Sequence, residues 1–259
     1  MTLPHAPAGL GDVADHYDIL LCDVWGVIHN GRESWDAACE ALARFSREQG
    51  PNGQRHVVLI SNSPRPSHDV VAQLDGLGVP RESWQAFVTS GDATRAELAK
   101  RAPGPVNDAV ETPEDYRERL AAGVARDLEL ICANPDHVVQ KGDKLIYCGG
   151  ALADLYETLG GRVTMAGKPH GPIYDLALKE AQALLGRPVD RSRVLCIGDG
   201  VITDVLGAAR QALDCLFIAQ GIHGDAARAD HGGIDPERAA GLLKAETTYA
   251  RWAMLDLVW

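Results

Sequence analysis

The sequence lacks the features by which membrane, secreted and nucleic-acid-binding proteins are usually recognised. No run of apolar residues approaches the ~20 that a bilayer-spanning helix needs. The first ten residues contain neither the basic stretch nor the long apolar stretch of a secretory signal. Acidic residues outnumber basic ones by 36 to 25, and the net charge of -11 argues against nucleic acid or an anionic membrane as a partner. We therefore predict a cytoplasmic protein that binds neither nucleic acid nor a membrane.

The sequence also lacks the closely paired cysteines of a metal or redox site. Its six cysteines form no C-x-x-C motif, and Cys22, Cys132, Cys196 and Cys215 lie within apolar, strand-like runs. Buried, reduced thiols are the simplest interpretation of such positions. We therefore do not expect cysteine to bind a metal.

Short apolar runs alternate with segments of helical periodicity along most of the chain. The apolar runs cover residues 19–22, 56–60, 86–88 and 194–197, and each is followed by a polar or glycine-containing turn. Strand, helix, strand in this order is typical of right-handed crossovers on a parallel sheet. With 259 residues, 46% of them hydrophobic, the chain can form a large core and a smaller second domain. We predict an α/β fold with a Rossmann-like parallel sheet.

The regular alternation loosens after residue 91 and resumes at residue 167. The segment 102–105 (Ala-Pro-Gly-Pro) breaks the pattern, and Thr112 followed by Pro113 is typical of a helix start. Insertions are best tolerated in loops beyond core strands. We therefore predict a core of residues 1–91 and 167–259 with an inserted α/β cap domain of residues 92–166.

Polar residues stand where the predicted strands end, and a lysine opens the helix before the last of these strands. They are Asp23, Ser61, Asn62, Lys168, Asp199 and Asp204. Alone, Asp23 could be a nucleophile, a metal ligand or a turn cap, and the last two aspartates could cap a helix. The carboxyl ends of parallel strands meet at one edge, where α/β proteins place their chemistry. Three carboxylates there repel one another unless a hard cation such as Mg²⁺ lies between them. A serine, a backbone amide and a lysine facing the metal suit a phosphoryl group in transfer.

These motifs, in this order, resemble the haloacid dehalogenase-like (HAD) superfamily. That family has an aspartate at a strand end, a serine or threonine at the next, a lysine, and an acidic Gly-Asp-x-x-x-Thr-Asp, which is residues 198–204 here. The segments 89–91 (Thr-Ser-Gly, at the hinge), 134–136 (Asn-Pro-Asp) and 167–169 (Gly-Lys-Pro) resemble subfamily IIA, the NagD-like phosphatases. The resemblance extends over nearly the whole chain.

The resemblance implies a role for each matching residue. Asp23 would attack phosphorus and form an aspartyl-phosphate. Asp23, the backbone carbonyl of Trp25 and Asp199 would bind Mg²⁺, with Asp204 behind them. Lys168 would neutralise the phosphoryl charge and orient the nucleophile. Ser61 and Asn62 would bind the phosphoryl oxygens. The substrate would be a small phosphorylated metabolite such as a sugar phosphate, chosen by the cap, and caps of this family often form homodimers.

One residue departs from the family pattern at the centre of the expected site. Phosphatases of this superfamily have a second aspartate two residues after the nucleophile, as general acid and base, and here that residue is Trp25. Losing such a group typically costs ~10² to 10⁴ in rate. His29, His170 and His223 fall near strand ends and could substitute for it. Three functions therefore stay open: a slow or specialised phosphatase, a phospho-ligand-binding protein without turnover, and a metal-independent dehalogenase. The acidic motif at 198–204 speaks against the last.

A second departure lies in the predicted cap. The resemblance leads us to expect a further strand and helix where only residues 106–111 are found. Either the cap is trimmed there or residues of it are missing from the sequence. The cap therefore gives no prediction of the particular substrate.

Overall fold

The fold was analysed in a computed structural model that describes residues 3–98, 112–141, 144–220, 223–230 and 232–259. Its strands are β1 (Ile19–Cys22), β2 (His56–Ser61), β3 (Ala86–Thr89), β4 (Glu129–Cys132), β5 (Val138–Lys141), β6 (Lys144–Tyr147), β7 (Arg162–Met165), β8 (Val194–Gly198), β9 (Asp214–Ile218) and β10 (Trp252–Met254). Its α-helices are α1 (Asp36–Arg47), α2 (Ser67–Gly76), α3 (Ser90–Leu98), α4 (Arg117–Ala125), α5 (Gly149–Thr158), α6 (Gly171–Leu185), α7 (Leu206–Arg210), α8 (Gly224–Ala227) and α9 (Pro236–Ala245).

Six strands form one parallel sheet in the order β10-β9-β8-β1-β2-β3. Strand β1 lies inside it, with Ile19 opposite His56 of β2 on one side and Val194 of β8 on the other. All four residues of β1 are buried, because helices cover both faces of the sheet. The predicted α/β class with a Rossmann-like parallel sheet is confirmed.

The alternation of side chains along β1 divides the core into two layers. Ile19 and Leu21 pack on the face that α6 covers, together with Tyr174. Leu20 and Cys22 pack on the opposite face, which contains Phe45 of α1. Successive strand residues point to opposite faces, so a continuous apolar run is what a doubly covered strand requires. All six cysteines are buried, and none of them forms a disulfide.

Two small sheets lie within the predicted cap. Strands β4 and β7 pair in parallel, and β5 and β6 form an antiparallel hairpin. The amide of Thr112 donates to the Asp115 carboxylate (2.7 Å) where a helix start was expected. Strand β5 was not predicted, because two valines are too few to reveal a period. The cap boundaries at residues 92 and 166 remain a prediction, and the short segment 106–111 lies outside the described residues.

The expected hinge at residues 89–91 takes regular structure. Strand β3 ends at Thr89 and α3 begins directly at Ser90, without an intervening loop. The Ser90 hydroxyl donates to the carbonyl oxygens of Asn62 and Ser63 (both 2.8 Å), so this corner is tied to the end of β2.

Among the helices that the structure describes, none combines the length and apolar character of a membrane span.

Candidate active site

Three carboxylates meet at the carboxyl edge of the sheet. Asp23 follows β1 directly, Asp199 follows the neighbouring strand β8, and Asp204 comes from the turn after Asp199. All three are buried, and their carboxylate oxygens lie within 4.8 Å of one another. We call these three residues the carboxylate cluster. The sequence spacing alone predicted this meeting, because neighbouring parallel strands end at the same edge.

A π-helical turn, Val201–Val205, brings Asp204 back towards the sheet. The amides of Asp204 and Val205 both donate to the Gly200 carbonyl oxygen (2.8 and 3.1 Å), and the Gly200 amide donates to the Asp204 carboxylate (3.0 Å). A Cβ on Gly198 would come within 2.3 Å of the Asp204 side chain. The glycines of this motif are therefore required by packing, and π-turns are often found at functional sites.

The turn after Asp23 presses against Asp199. Gly26 has φ +83°, and a Cβ there would lie 2.1 Å from the Asp199 carboxylate. The Asp23 amide donates to the Ile197 carbonyl oxygen (2.8 Å), which fixes the end of β1 on β8. Only glycine fits both the dihedral angle and the space at position 26. The hydrogen bond thus joins the two strand ends, and glycine at position 26 allows the turn to pass close to Asp199.

Lys168 lies between two members of the cluster. Its Nζ is 2.5 Å from Asp23 Oδ1 and 2.7 Å from Asp204 Oδ1, and the residue is 3% exposed. The Asn62 side chain holds the backbone of Lys168 at both ends: Oδ1 accepts from the Lys168 amide (2.7 Å) and Nδ2 donates to its carbonyl oxygen (3.1 Å). Sequence reasoning missed this clamp. Ser61 Oγ accepts from the Ser63 amide (3.2 Å) at the same edge.

The buried charges raise the pKa of two cluster members. Burial, with the charge of Asp204 next, raises the pKa of Asp23 to about 7. Burial and the charges of Asp23 and Asp204 raise the pKa of Asp199 to about 8. Burial alone would lower the pKa of Lys168, but the charges of Asp204 and Asp23 raise it above its usual value. When all four groups are ionised, the site carries two negative charges in excess.

The donor set fits a hard divalent cation. Among the described residues the Asp199 carboxylate receives a backbone hydrogen bond but none from a side chain, although this residue is only 5% exposed. Buried carboxylates with so few donors are unfavourable unless a cation neutralises them. A divalent ion would balance the excess charge, and oxygen donors suit such ions.

Trp25 stands at the rim of the site. Its side chain is 58% exposed, and its ring meets the edge of the His29 ring (5.2 Å, 75°). Gly31, at φ +86°, lies beneath the indole, where a Cβ would approach Trp25 Cη2 to 2.2 Å. The His29 carbonyl oxygen accepts from the Gly26 amide (2.9 Å) and closes the turn. The indole is therefore held in one place while much of it faces solvent.

The three histidines proposed as substitutes have other surroundings. His29 is buried, and its Nδ1 accepts from the Gly31 amide (2.9 Å). Burial and the nearby charge of Arg210 lower the pKa of His170. The His223 ring lies against Phe217 (5.9 Å). In the part of the chain that the structure describes, no hydrogen bond or ion pair joins these rings to the carboxylate cluster or to Lys168.

A loop of the predicted cap also reaches the site. A Cβ on Gly167 would lie within 2.7 Å of both Pro135 Cδ and Asn62 Oδ1, so this loop packs on the Lys168 segment. Burial raises the pKa of the neighbouring Asp136, while the charge of Lys168 and the Asn62 amide act in the opposite direction. The Asn-Pro-Asp segment had suggested only a subfamily. Nothing in its spacing could show that Asp136 faces Asn62.

Comparisons with known proteins relate this chain to one family. Residues 20–123 match the family model described as haloacid dehalogenase-like hydrolase, and residues 165–243 match one described as HAD-hydrolase-like. A hydrolase of the haloacid dehalogenase-like family from Brucella suis 1330 is 41% identical, covers 97% of this chain and 100% of its own, and superimposes with a TM-score of 0.76.

Two more distant relatives are phosphatases. The acid sugar phosphatase of Staphylococcus saprophyticus is 22% identical over 239 residues, which are 80% of this chain and 88% of its own. The glycerol phosphate phosphatase of Mycobacterium tuberculosis, solved in complex with magnesium, is 22% identical with a TM-score of 0.60. That match covers 84% of this chain and 73% of the other.

Proposed function

The chain belongs to the haloacid dehalogenase-like hydrolase family, and we propose that it is a Mg²⁺-dependent phosphatase acting on a small phosphomonoester through an aspartyl-phosphate. The comparisons confirm the family that the four sequence motifs predicted. The observation that carries the proposal is Lys168, buried between Asp23 and Asp204 at the carboxyl edge of the sheet. The phosphatase names of the two distant relatives support a phosphorylated substrate.

Each group of the site has a part in the proposed reaction. Asp23 supplies the nucleophilic oxygen, and Lys168 fixes the orientation of that carboxylate through its 2.5 Å contact. Lys168 also offsets negative charge on the phosphoryl group. The Ser61 hydroxyl and the Asn62 amide bind phosphoryl oxygens. The carboxylates of Asp23 and Asp199 and the carbonyl of Trp25 would hold Mg²⁺.

The bound ion would neutralise charge on the phosphoryl oxygens. Asp204 would stand behind it, since one of its oxygens already accepts from Lys168. The proposal also includes a small phosphorylated metabolite as ligand, a cytoplasmic location, and a homodimer formed through the cap. Sedimentation of the purified protein over a range of concentrations tests the dimer.

The test of the phosphatase activity is release of phosphate from a panel of small phosphomonoesters. We expect turnover with Mg²⁺, none with EDTA, and none in Asp23→Asn. Asp69→Asn, an exposed aspartate at the start of α2, is the matched control and should retain full turnover. Absence of turnover throughout the panel, with Mg²⁺ and a phosphate analogue still bound, would instead favour the phospho-ligand-binding protein. Halide release from 2-haloacids in EDTA would favour the dehalogenase.

A further inference from the structure

The rim of the site exposes apolar groups beside buried charges. Trp25 is 58% exposed although it stands two residues from the buried Asp23, and Ile202, between Asp199 and Asp204, is 57% exposed. Their two loops touch, because the backbone of Gly26 lies against the Asp199 carboxylate. The parts of the predicted cap that the structure describes leave both side chains uncovered. A large apolar group exposed at a polar site points to an apolar part of the ligand.

Two neighbours restrict the position of the indole. The edge of His29 and the backbone of Gly31 limit where the ring can lie, and Gly31 is the residue that leaves room for it. Restricting a side chain before a ligand binds lowers the conformational entropy that stacking on it costs. Stacked aromatic pairs also gain free energy beyond the area that they bury.

The described residues offer few protons to a departing oxygen. Lys168 directs its N–H groups to Asp23 and Asp204, and the carboxylates of Asp23 and Asp199 would hold the cation. His29 is buried and receives the Gly31 amide on Nδ1, which leaves Nε2–H as the one proton donor of a neutral ring. The indole of Trp25 does not release its N–H proton near neutral pH, so it cannot protonate the departing oxygen. Asp136, which faces Asn62, is a further candidate in the described part of the chain.

We propose that Trp25 determines specificity, as a platform for a flat, unsaturated leaving group whose hydroxyl is acidic, so that the substrates are phosphate esters of phenols or enols. This inference rests on the proposed phosphatase function. A leaving oxygen that is stable as an anion needs no proton in the transition state, and a flat leaving group can stack on the exposed indole.

The two chemical steps balance without a protein acid. In the first, an Asp23 oxygen bonds to phosphorus, the bond from phosphorus to the ester oxygen breaks, and its electron pair leaves with that oxygen as a phenolate or enolate. In the second, water attacks phosphorus and the bond to the Asp23 oxygen breaks, which restores the carboxylate. The water proton passes to solvent. Without a base near the attacking water, this second step is slow and the phosphoenzyme accumulates.

The first experiment measures kcat/KM with Mg²⁺ for 4-nitrophenyl phosphate, phenyl phosphate and glycerol phosphate. Phenol is a weaker acid than 4-nitrophenol, so its anion is the poorer leaving group. In our proposal no general acid of the protein compensates for this difference. We expect the nitrophenyl ester to exceed the phenyl ester by about a hundredfold, because a general acid is typically worth ~10² to 10⁴. A ratio below about tenfold would overturn the inference. It would mean that a general acid protonates the leaving oxygen and makes the two esters react at similar rates.

The same experiment in Asp136→Asn identifies any hidden acid. We expect the ratio between the two aryl esters to stay as it is in the wild-type protein. If the wild-type ratio is small and Asp136→Asn makes it large, Asp136 supplies the proton and the inference is wrong. Trp25→Asp should reduce the ratio by accelerating the phenyl ester. The wild-type ratio alone still decides the matter if Asp136→Asn does not fold.

The platform is tested with a reactive substrate that cannot stack. Trp25→Ala should lower kcat/KM for 4-nitrophenyl phosphate about three- to tenfold more than for acetyl phosphate, from the loss of aromatic contact. Trp25→Phe should restore most of that difference. Tyr249→Ala, which removes an aromatic side chain that is 66% exposed far along the chain, is the control and should leave it unchanged. Equal losses for both substrates in Trp25→Ala would reject the platform.

Rapid mixing gives a readout of the second step. With 4-nitrophenyl phosphate we expect a burst of nitrophenol close to one equivalent per site, followed by slow turnover. The outcomes separate the two proposals. Turnover with a shallow dependence on the leaving group would keep the phosphatase and remove the inference, whereas no phosphate release from any ester would remove both.

Discussion

Replacing Lys168 with methionine tests how the buried charges of the site are held. The substitution keeps most of the side-chain volume but removes the ammonium that contacts Asp23 and Asp204 at 2.5 and 2.7 Å. Lys168 is 3% exposed, so water cannot replace the lost contacts without a change in the structure. The two carboxylates would then be left with Asp199 as their only charged neighbour in the cluster.

The expected loss of stability is large. Removing one partner of a buried ion pair typically costs ~3–5 kcal/mol, because the other charge remains buried without compensation. For a chain of this size each kcal/mol lowers Tm by about 2–4 °C. We therefore expect Lys168→Met, in EDTA at pH 8, to unfold at a temperature lower by roughly 6–20 °C.

The loss should shrink in acid. Burial and the Asp204 charge already raise the pKa of Asp23 to about 7, far above its value in the unfolded chain. Without the ammonium, that pKa rises further. The folded variant therefore takes up protons as the pH falls from 8 to 5, whereas the unfolded chain does not, and the variant regains stability.

The assay is urea denaturation of the wild-type protein and the variant at pH 8 and pH 5. Lys179→Met, an exposed lysine on α6, makes the same change in net charge and should cost less than about 0.5 kcal/mol. The reasoning is refuted if Lys168→Met loses less than about 1 kcal/mol at pH 8, or if its loss does not depend on pH. The pH-independent result would mean that the cluster is neutral already.

Three further predictions concern the metal, a structural carboxylate and the turn below the indole. Mg²⁺ at about 100 times its Kd should raise the free energy of unfolding by ~2.7 kcal/mol. The increase should be larger at pH 8 than at pH 6, because protons on Asp23 and Asp199 compete with the ion. Calorimetry checks this, with Asp199→Asn as a variant that should not respond to Mg²⁺. Asp18→Asn should cost ~1–3 kcal/mol in urea at pH 7. Burial would raise the pKa of Asp18, but hydrogen bonds from two arginines and an asparagine lower it overall, so the wild-type advantage falls as the pH drops through that lowered pKa. Gly31→Ala should cost at least ~1 kcal/mol and displace the Trp25 ring, visible in its fluorescence, because of the positive φ and the 2.2 Å approach; an unchanged spectrum and stability would contradict it.

Much of the site was predictable because its residues stand at strand ends. The run of four apolar residues before Asp23 fits only a strand covered on both faces, and that strand has to end at the same edge as the apolar run before Asp199. Parallel pairing then brings the two carboxylates together although 175 residues lie between them. Asp204 was predictable for the same reason, since it follows Asp199 within one turn.

Other features depend on contacts between segments that share no pattern. The backbone amide of Asn62 was predicted on phosphate, but no pattern indicated that its side chain clamps the backbone of Lys168, which lies 106 residues later. Asp136 belongs to a loop whose sequence is compatible with many positions, and only the packing of Pro135 on Gly167 brings it to the site. His29 remains a candidate acid, and only the fold shows that its Nδ1 receives the Gly31 amide.

The sequence by itself determined the class of the fold, the family and the edge of the sheet at which the charged residues meet. These follow from periodicity and from the order of motifs, which are properties of the chain taken one segment at a time. Tertiary structure decided how each side chain is used: which carboxylates share the ammonium, which amide clamps the lysine, and how far the indole projects into solvent. Those properties depend on distances of a few ångströms between remote segments, and no local pattern encodes them.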